Sequence, residues 1–497
     1  MAHITILNLN LLYVRYHDNI EQEQHLALGP LYVTSALEDA GFQVDFRDYQ
    51  QHKVEEPFSA EEVARFLEGA APVVGFSCMA NLLPFTLLAM KHYKELHPEK
   101  TLILAGVGPK SVETKILELC PWVDIIVRGE AEKSAPILLG ALTNGDSLEN
   151  VPGISYIQDG VIRHNPRPPR IVNLDRITPP AYHHVDLSSY TGFNVITSRG
   201  CPYECTFCSV APVWDHKSYY RSAESVIQDM KTLHEKGGAE MILFQDEFFV
   251  SSPSRVVSFC NALEKTGLSL LWKAFGRINL SSTEMMEAME RTGCVEIRFG
   301  IESGDDRILE LTKKGFTSDE TIEIVRIACD IFRRVDLFYV WGYPFESMDE
   351  FYKSVFQMIS FRMMGARILP SMLCLLPQTP LFKNHVKLEQ LEFAPDVFPE
   401  YMVTGHEIST GAHVEIDPKH KDVFDFIQAN PDIFPGFFHV DLEGNIRPKL
   451  RVLQEFGFYP ATAEELENME SCGAHSPHID EVPVATKKEI ATRSSAV

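Results

Sequence analysis

The chain has 497 residues, too many for one ordinary core, so two or three domains are expected. Hydrophobic residues make up 45% and charged residues 23%, the balance of a soluble globular protein. The formal net charge of −24 tilts against a duplex-binding surface, because phosphate is gripped mainly by Lys and Arg, and no nucleic-acid partner is expected.

The N-terminus, MAHITILNLNLLYV, reads as a strand with polar interruptions and lacks the charged region, long apolar run and cleavage site of a signal peptide. No uninterrupted run of about 18 apolar residues occurs, so no membrane span and a cytoplasmic location are expected. Residues 1–145 then alternate strand and helix signals. Apolar runs at 4–9, 42–48, 72–78, 101–106 and 123–129 read as buried strands, with helical patterns between them at 29–40, 60–69, 83–97, 110–119 and 131–142. Ser59-x-x-Glu62 offers a capping box for the second helix. Such repetition predicts an α/β, doubly wound, Rossmann-like sheet that holds ligands beyond its strands' carboxyl ends.

Residues 146–190 break the pattern; rich in Pro and Gly, they read as a linker, with a small hairpin around Asp159-Gly160. Over 191–384 alternation resumes, with strand-like runs at 193–198, 240–245, 271–275, 295–301, 336–341 and 367–374. Ser281-x-x-Glu284, Thr317-x-x-Glu320 and Ser347-x-x-Glu350 fit capping boxes, and Gly237-Gly238 ends the first helix. Six βα units suit an open, partial (β/α)6 barrel, with active residues at strand C-terminal ends. Residues 385–460 are aromatic and poorly periodic and read as a small, mainly helical cap; 461–497 read as a frayed polar tail.

Ten cysteines in a cytosolic-looking chain favour ligation or buried thiols over disulfides. Three of them, Cys201, Cys205 and Cys208, form C-x3-C-x2-C within "SRGCPYECTFCSV", directly after a predicted strand and a turn. Thiolates are soft ligands for zinc or iron–sulfur clusters. A structural zinc site normally closes with four protein ligands, and the nearest later candidate, His216, fits no usual zinc pairing. Three thiolates on a four-iron cluster leave one iron open.

At these residues the sequence resembles the radical S-adenosylmethionine (SAM) superfamily, in the preceding SRG, the Pro after the first Cys and Phe207 before the third. The resemblance implies a [4Fe–4S] cluster on the three cysteines and SAM on the open iron. An electron would cleave the sulfonium to a 5′-deoxyadenosyl radical, supplied by an external donor such as flavodoxin or ferredoxin. It implies SAM contacts at Phe207, at Asp246 and Glu247 of "FQDEFFV", at Arg277 of "KAFGRINL", at Glu302 of "IRFGIESGDD" and at Gly342 of "VWGYPFES". Each residue of those four strand ends has a plainer reading: Asp246 and Glu247 as turn caps, Arg277 as an ion pair, Gly342 as a tight turn. Glu302 is the favoured contact. The usual Gly-Gly-Glu strand is not recognisable.

The first domain resembles the cobalamin-binding domain that precedes the barrel in one branch of that superfamily, through "LGPLYVTSALEDAGFQVDFRD", "VVGFSCMANLLPF", "LILAGVGPKS" and "VDIIVRGEAEKSAP". Small residues after strands three and four let a nucleotide-like tail approach the backbone. The resemblance implies cobalamin contacts at Ser77, Asn81, Gly106, Gly108, Pro109, Gly129 and Glu130. The D-x-H-x-x-G cobalt-ligand sequence is absent, so base-off cobalamin with no His ligand is implied, and "AGVGPKS" replaces the more typical double-glycine-Pro-His form.

Together these imply a methyltransferase acting on an unactivated carbon of a small-molecule substrate. The deoxyadenosyl radical would remove hydrogen and methylcobalamin would deliver the methyl group. A cobalamin-dependent cyclase or rearrangement enzyme is the alternative, and a non-enzymatic iron–sulfur or cobalamin sensor the second. Methylthiotransfer to tRNA is rejected, since only Cys78 and Cys120 precede the barrel. No catalytic residue is assigned. Tyr182, His183, His184, Tyr339 and Trp341 are candidates for a substrate pocket.

Overall fold

The computed structural model describes residues 2–9, 24–52, 54–399, 402 and 418–459. In the first domain, strands β1 (Ile4–Asn8), β2 (Val44–Asp48), β3 (Val73–Ser77), β4 (Thr101–Ala105) and β5 (Ile125–Val127) run parallel in the order β2-β1-β3-β4-β5. Five helices connect or follow them: α1 (Leu28–Asp39), α2 (Ala60–Phe66), α3 (Leu83–Leu96), α4 (Glu113–Leu119) and α5 (Ala131–Asn144). Leu31, Leu37, Leu138 and Leu139 of α1 and α5 pack on Ile4, Ile6 and Ile103. Val63, Leu87, Met90 and Ile116 of α2–α4 pack on Leu7, Val74, Phe76 and Leu104 on the opposite face. Burial on both faces is why β3, β4 and β5 are nearly continuous apolar runs, whereas edge strand β2, VDFRD, is not.

The stretch expected as a linker is partly sheet. β6 (Ile154–Gln158) and β7 (Val161–His164) form the hairpin, turned at Asp159 and Gly160 with φ of 52° and 75°, and β6 pairs antiparallel with β5. The short β5 would otherwise be an open edge, and buried Ile154 and Tyr156 give its neighbour an apolar face.

In the second domain, β8 (Phe193–Val195) is followed by an antiparallel pair, β9 (Ser198–Arg199) and β10 (Tyr219–Tyr220). β11 (Met241–Phe244), β12 (Leu271–Gly276), β13 (Cys294–Glu302), β14 (Arg334–Trp341) and β15 (Arg367–Met372) then join β8 in one six-stranded parallel sheet, with β8 and β15 at its ends. Full capping boxes form at Thr317–Glu320 and Ser347–Glu350. The one read at Ser281 shifts by a residue: Ser281 donates to the Arg277 carbonyl at 2.9 Å, and Ser282 accepts from the Met285 amide instead. At Ser59 only half the box forms, because Glu62 pairs with Arg65.

Among its described residues the cap is mainly helical, with one short ladder. Helix Lys421–Ala429 and a two-stranded ladder, β16 (Leu391–Glu392) with β17 (His439–Val440), lie with Phe398, Phe424, Phe434, Phe437 and Phe438 on the α3 side of the first domain. Helix Arg447–Glu455 instead sends Val452 and Leu453 into the barrel core. Residues 461–497 lie outside the described residues.

Candidate active site

Beyond β8 the chain is clamped before it reaches the cysteines. The Thr197 amide donates to Asp246 Oδ1 at 2.5 Å, Ser198 Oγ donates to Oδ2 at 2.9 Å, and the Thr197 hydroxyl donates to Oδ2 as well. Burial raises Asp246 to about 6 in spite of these donors. The SAM contact read for Asp246 is therefore corrected: both its oxygens are occupied within the protein, and it positions the cluster loop. Gly200 follows with φ of 92°, where a side chain would run into the Lys217 carbonyl.

Cys201 and Cys208 are half-buried and Cys205 is buried. The Val210 amide donates to Cys208 Sγ at 3.4 Å, and the Tyr203 amide bonds Cys201. Such N–H···S bonds suit thiolates that carry an iron–sulfur cluster. Burial pushes the Cys208 thiol up to about 12 and the Cys201 thiol up as well, with Cys205 adding to both shifts. The three sulfurs do not all lie within 4.8 Å of one another. Tetrahedral zinc with Zn–S bonds of ~2.3 Å would bring them closer than that, so the triad fits a larger polynuclear centre. The loop's far side is pinned by the Thr206 amide to the Thr312 carbonyl at 3.1 Å and by the Leu381 amide to the Thr206 carbonyl at 2.8 Å.

Three of the predicted SAM-site residues meet around one lysine. Glu302, at the end of β13 with φ of 72°, pairs with buried Lys314 at 3.0 Å. Lys314 Nζ stands 5.9 Å from the Phe207 ring, and Arg277 donates to the Lys314 carbonyl while lying 3.5 Å over the Tyr203 ring. Tyr343, fully buried, faces Phe207 at 6.0 Å, and among the described residues its hydroxyl has no hydrogen-bond partner. An orphaned phenol beside the cluster loop fits a polar ligand there. Two other readings are revised. Gly342 holds φ of 88° under Ile446, its carbonyl accepting from Asn445 at 3.1 Å, so the C-terminal segment covers it. Glu247 accepts from the Trp214 indole at 2.9 Å and the Gly200 amide at 3.3 Å, bracing the cluster loop from the side of the first domain.

Between the two domains lies a cavity of about 420 Å³. Ser77, Gly106, Pro109 and Gly129, at the carboxyl ends of β3–β5, form one wall; Asn194, Ser198, Arg199 and Glu247 of the barrel form the other. Asn194 Oδ1 is buried there without a partner among the described residues. A large, mostly apolar cavity between two sheet ends, with glycines along one rim, fits a corrinoid. Gly108 and Asn81 do not line it. Gly108 donates its amide to the Cys78 carbonyl at 3.1 Å, and a Cβ there would come 2.9 Å from Cys78 Sγ, so its role is loop-on-loop packing. Asn81 is buried in the turn Ala80–Leu82. Glu130 lines the cavity, yet its carboxylate is taken by Arg170 and Arg199, each at 3.2 Å, and by the Ile171 amide at 2.6 Å.

Arg199, Lys314, Tyr203 and Tyr343 are the residues that sequence reasoning missed. Arg199 sat in plain view within SRG; it joins the cluster loop to Glu130 and to Glu132 (2.7 Å), its guanidinium 5.0 Å over the Tyr32 ring. None of the proposed substrate-pocket residues lines the cavity. His183 and His184 bond Glu38 of α1, Tyr339 donates to Gln357 at 2.7 Å, and Trp341 donates to Tyr459 at 3.0 Å.

The B12-binding domain model matches residues 21–139, and the radical SAM superfamily model matches residues 195–357. The chain thus carries a B12-binding domain followed by a radical SAM domain. Those domains imply a [4Fe–4S] cluster, SAM and cobalamin as cofactors. An uncharacterized methyltransferase, PH0819, from Pyrococcus horikoshii is 29% identical over 59% of this chain and 66% of its own. An anaerobic magnesium-protoporphyrin IX monomethyl ester cyclase from Rubrivivax gelatinosus is 26% identical over 48% of this chain and 45% of its own. The chain thus spans less than two thirds of these relatives' lengths. The fold is shared with the cobalamin-dependent SAM radical enzyme OxsB (TM-score 0.63, 18% identity, 86% of this chain and 66% of that one). It is also shared with the radical SAM methyltransferase TsrM from Kitasatospora setae (TM-score 0.61, 16% identity, 76% and 74%).

Proposed function

We propose that the protein is a cobalamin-dependent radical SAM C-methyltransferase acting on an unactivated carbon of a small-molecule substrate, with an external flavodoxin- or ferredoxin-type electron donor. The observation that carries this reading is the single cavity bordered by the carboxyl ends of both sheets, with the three-cysteine loop braced against it through Arg199 and Glu247. When bound, the cofactors supply the radical and methyl-transfer chemistry; the protein binds, orients and shields them. Cys201, Cys205 and Cys208 would hold the cluster, and Asp246 fixes the backbone that presents them. Glu302, Arg277, Phe207 and Tyr343 would form the SAM side, with Lys314 setting the direction of the Glu302 carboxylate. Ser77, Gly106, Pro109 and Gly129 would border cobalamin, while Glu130 holds the two walls together through Arg199.

A second reading, cyclisation without net methyl transfer, is favoured by the cyclase relatives, one of which, from Synechocystis, aligns over 65% of this chain. Product mass separates the two, since methylation adds one carbon. The first test is anaerobic reconstitution with iron, sulfide and hydroxocobalamin, followed by metal counting. We expect about four irons and one cobalt per chain, with iron lost on Cys→Ala at any of the three positions. Iron without cobalt would remove the cobalamin reading and leave the radical SAM one.

A further inference from the structure

Among the described residues, the cavity wall carries a lysine that no carboxylate pairs. Lys110 lines the cavity immediately after Pro109, in the loop that leaves β4, and is half-buried. Among the described residues its ammonium forms no ion pair within 4.0 Å and donates no hydrogen bond. Of the neighbouring cations, Arg167 pairs with Asp215 at 2.6 Å, whereas Arg128 donates only to the Ile154 carbonyl at 3.1 Å and the Asn165 carbonyl at 2.5 Å, and its Nε has no partner among the described residues. Across the cavity Arg170 and Arg199 are matched by Glu130 and Glu132. Glu113 and Asp215 favour the charge on Lys110 from beyond ion-pair distance, whereas burial first, and then Arg167 and Arg128, lower its pKa. In a chain of net charge −24, a half-buried ammonium beside two guanidiniums is an arrangement that an anionic ligand group would complete.

We propose that Lys110, flanked by Arg128 and Arg167, is the anion-recognition point of the interdomain cavity and grips the phosphodiester of the cobalamin nucleotide tail. The assignment rests on the cobalamin reading above. Cobalamin has a single anionic group, the phosphodiester linking its aminopropanol arm to the ribose, and the corrin amides offer none. Lys110 stands one residue beyond Pro109 on the rim that includes Gly106, whose missing side chain lets the loop pack directly against the Cys78 backbone. Lysine serves here as a compact point charge whose flexible stem can direct it to either non-bridging oxygen.

The test compares two corrinoids that differ in this group. Dissociation constants of hydroxocobalamin and of cobinamide, which lacks the phosphodiester and nucleotide, are measured by absorbance titration for the wild-type chain, Lys110→Met and Lys110→Arg. Circular dichroism confirms that each variant is folded. Expected is a loss of roughly 10- to 100-fold in cobalamin affinity for K110M, the span of one charge-assisted hydrogen bond. Cobinamide affinity should be unchanged, and K110R should recover most of the loss. Equal weakening of both corrinoids, or no weakening of either, overturns the role of Lys110 while cobalamin binding stands. Failure of the wild-type chain to bind either corrinoid overturns the cobalamin reading itself and the inference with it.

Discussion

Glu302 and Asp246 are both carboxylates just past barrel strands, yet their surroundings give them opposite duties. Asp246 is saturated by three donors from Thr197 and Ser198. Glu302 holds a left-handed backbone conformation that costs a non-glycine residue about 1–3 kcal/mol, and it has a single cationic partner in Lys314. A strained, singly paired carboxylate beside an orphaned phenol is the arrangement of a binding residue. Glu302→Gln is expected to leave the iron content intact and to weaken SAM binding roughly tenfold or more, read by equilibrium dialysis on the reconstituted protein. Undiminished SAM binding would take Glu302 out of the site. Asp246→Ala should act the other way round, lowering iron retention because three donors lose their acceptor and the cluster loop loosens.

At the scale of elements, the cap's stability is expected to depend on pH through His439. His439 of β17 is 2% exposed, and its Nε2 has no partner among the described residues. Burial lowers its pKa from 6.5 to about 4, although the Val397 and Ala394 carbonyls favour the charged ring. The folded state therefore prefers the neutral imidazole. Its contribution is complete above the unfolded value of 6.5 and is lost as pH falls through about 4, because the unfolded chain binds the proton first. At pH 5 the penalty relative to pH 7 is about 2 kcal/mol. The opening free energy of residues 421–438, from hydrogen exchange corrected for the intrinsic amide rate at each pH, should fall between pH 7 and pH 5, and His439→Gln should flatten that dependence. An equal fall in the variant would assign the effect elsewhere.

At the scale of the molecule, Arg199 is the tie between the two sheets. It is buried, reaches Glu130 and Glu132 of the first domain, and belongs to the strand that leads into Cys201. Removing one partner of a buried pair leaves an uncompensated charge, so Arg199→Met should destabilise the docked state by about 3–5 kcal/mol. Denaturant unfolding followed by tryptophan fluorescence should then separate into two transitions, with cobalt binding weakened alongside. A single unshifted transition would show that Glu130 and Glu132 do not carry the interface.

Much of this was legible without coordinates, for a physical reason. The C-x3-C-x2-C spacing, the alternation of apolar strand and amphipathic helix, and the boxes at Thr317 and Ser347 are local features whose meaning is carried by residues a few positions apart. By itself the sequence determined two α/β units, and it is the source of the proposed cluster ligands and glycine-lined rim. Tertiary structure alone decided which carboxylates are free to serve a ligand, because the partners that claim them lie far away in the chain. Asp246 is taken by residues 48 and 49 positions earlier, and Glu130 by Arg199, 69 positions later. It also decided that the supposed linker completes the first sheet, since an open strand edge becomes a demand only once β5 is folded. The charge at Lys110, unpaired among the described residues, emerges in the same way, because the cavity carboxylates Asp215, Glu130 and Glu132 are claimed by Arg167, Arg170 and Arg199.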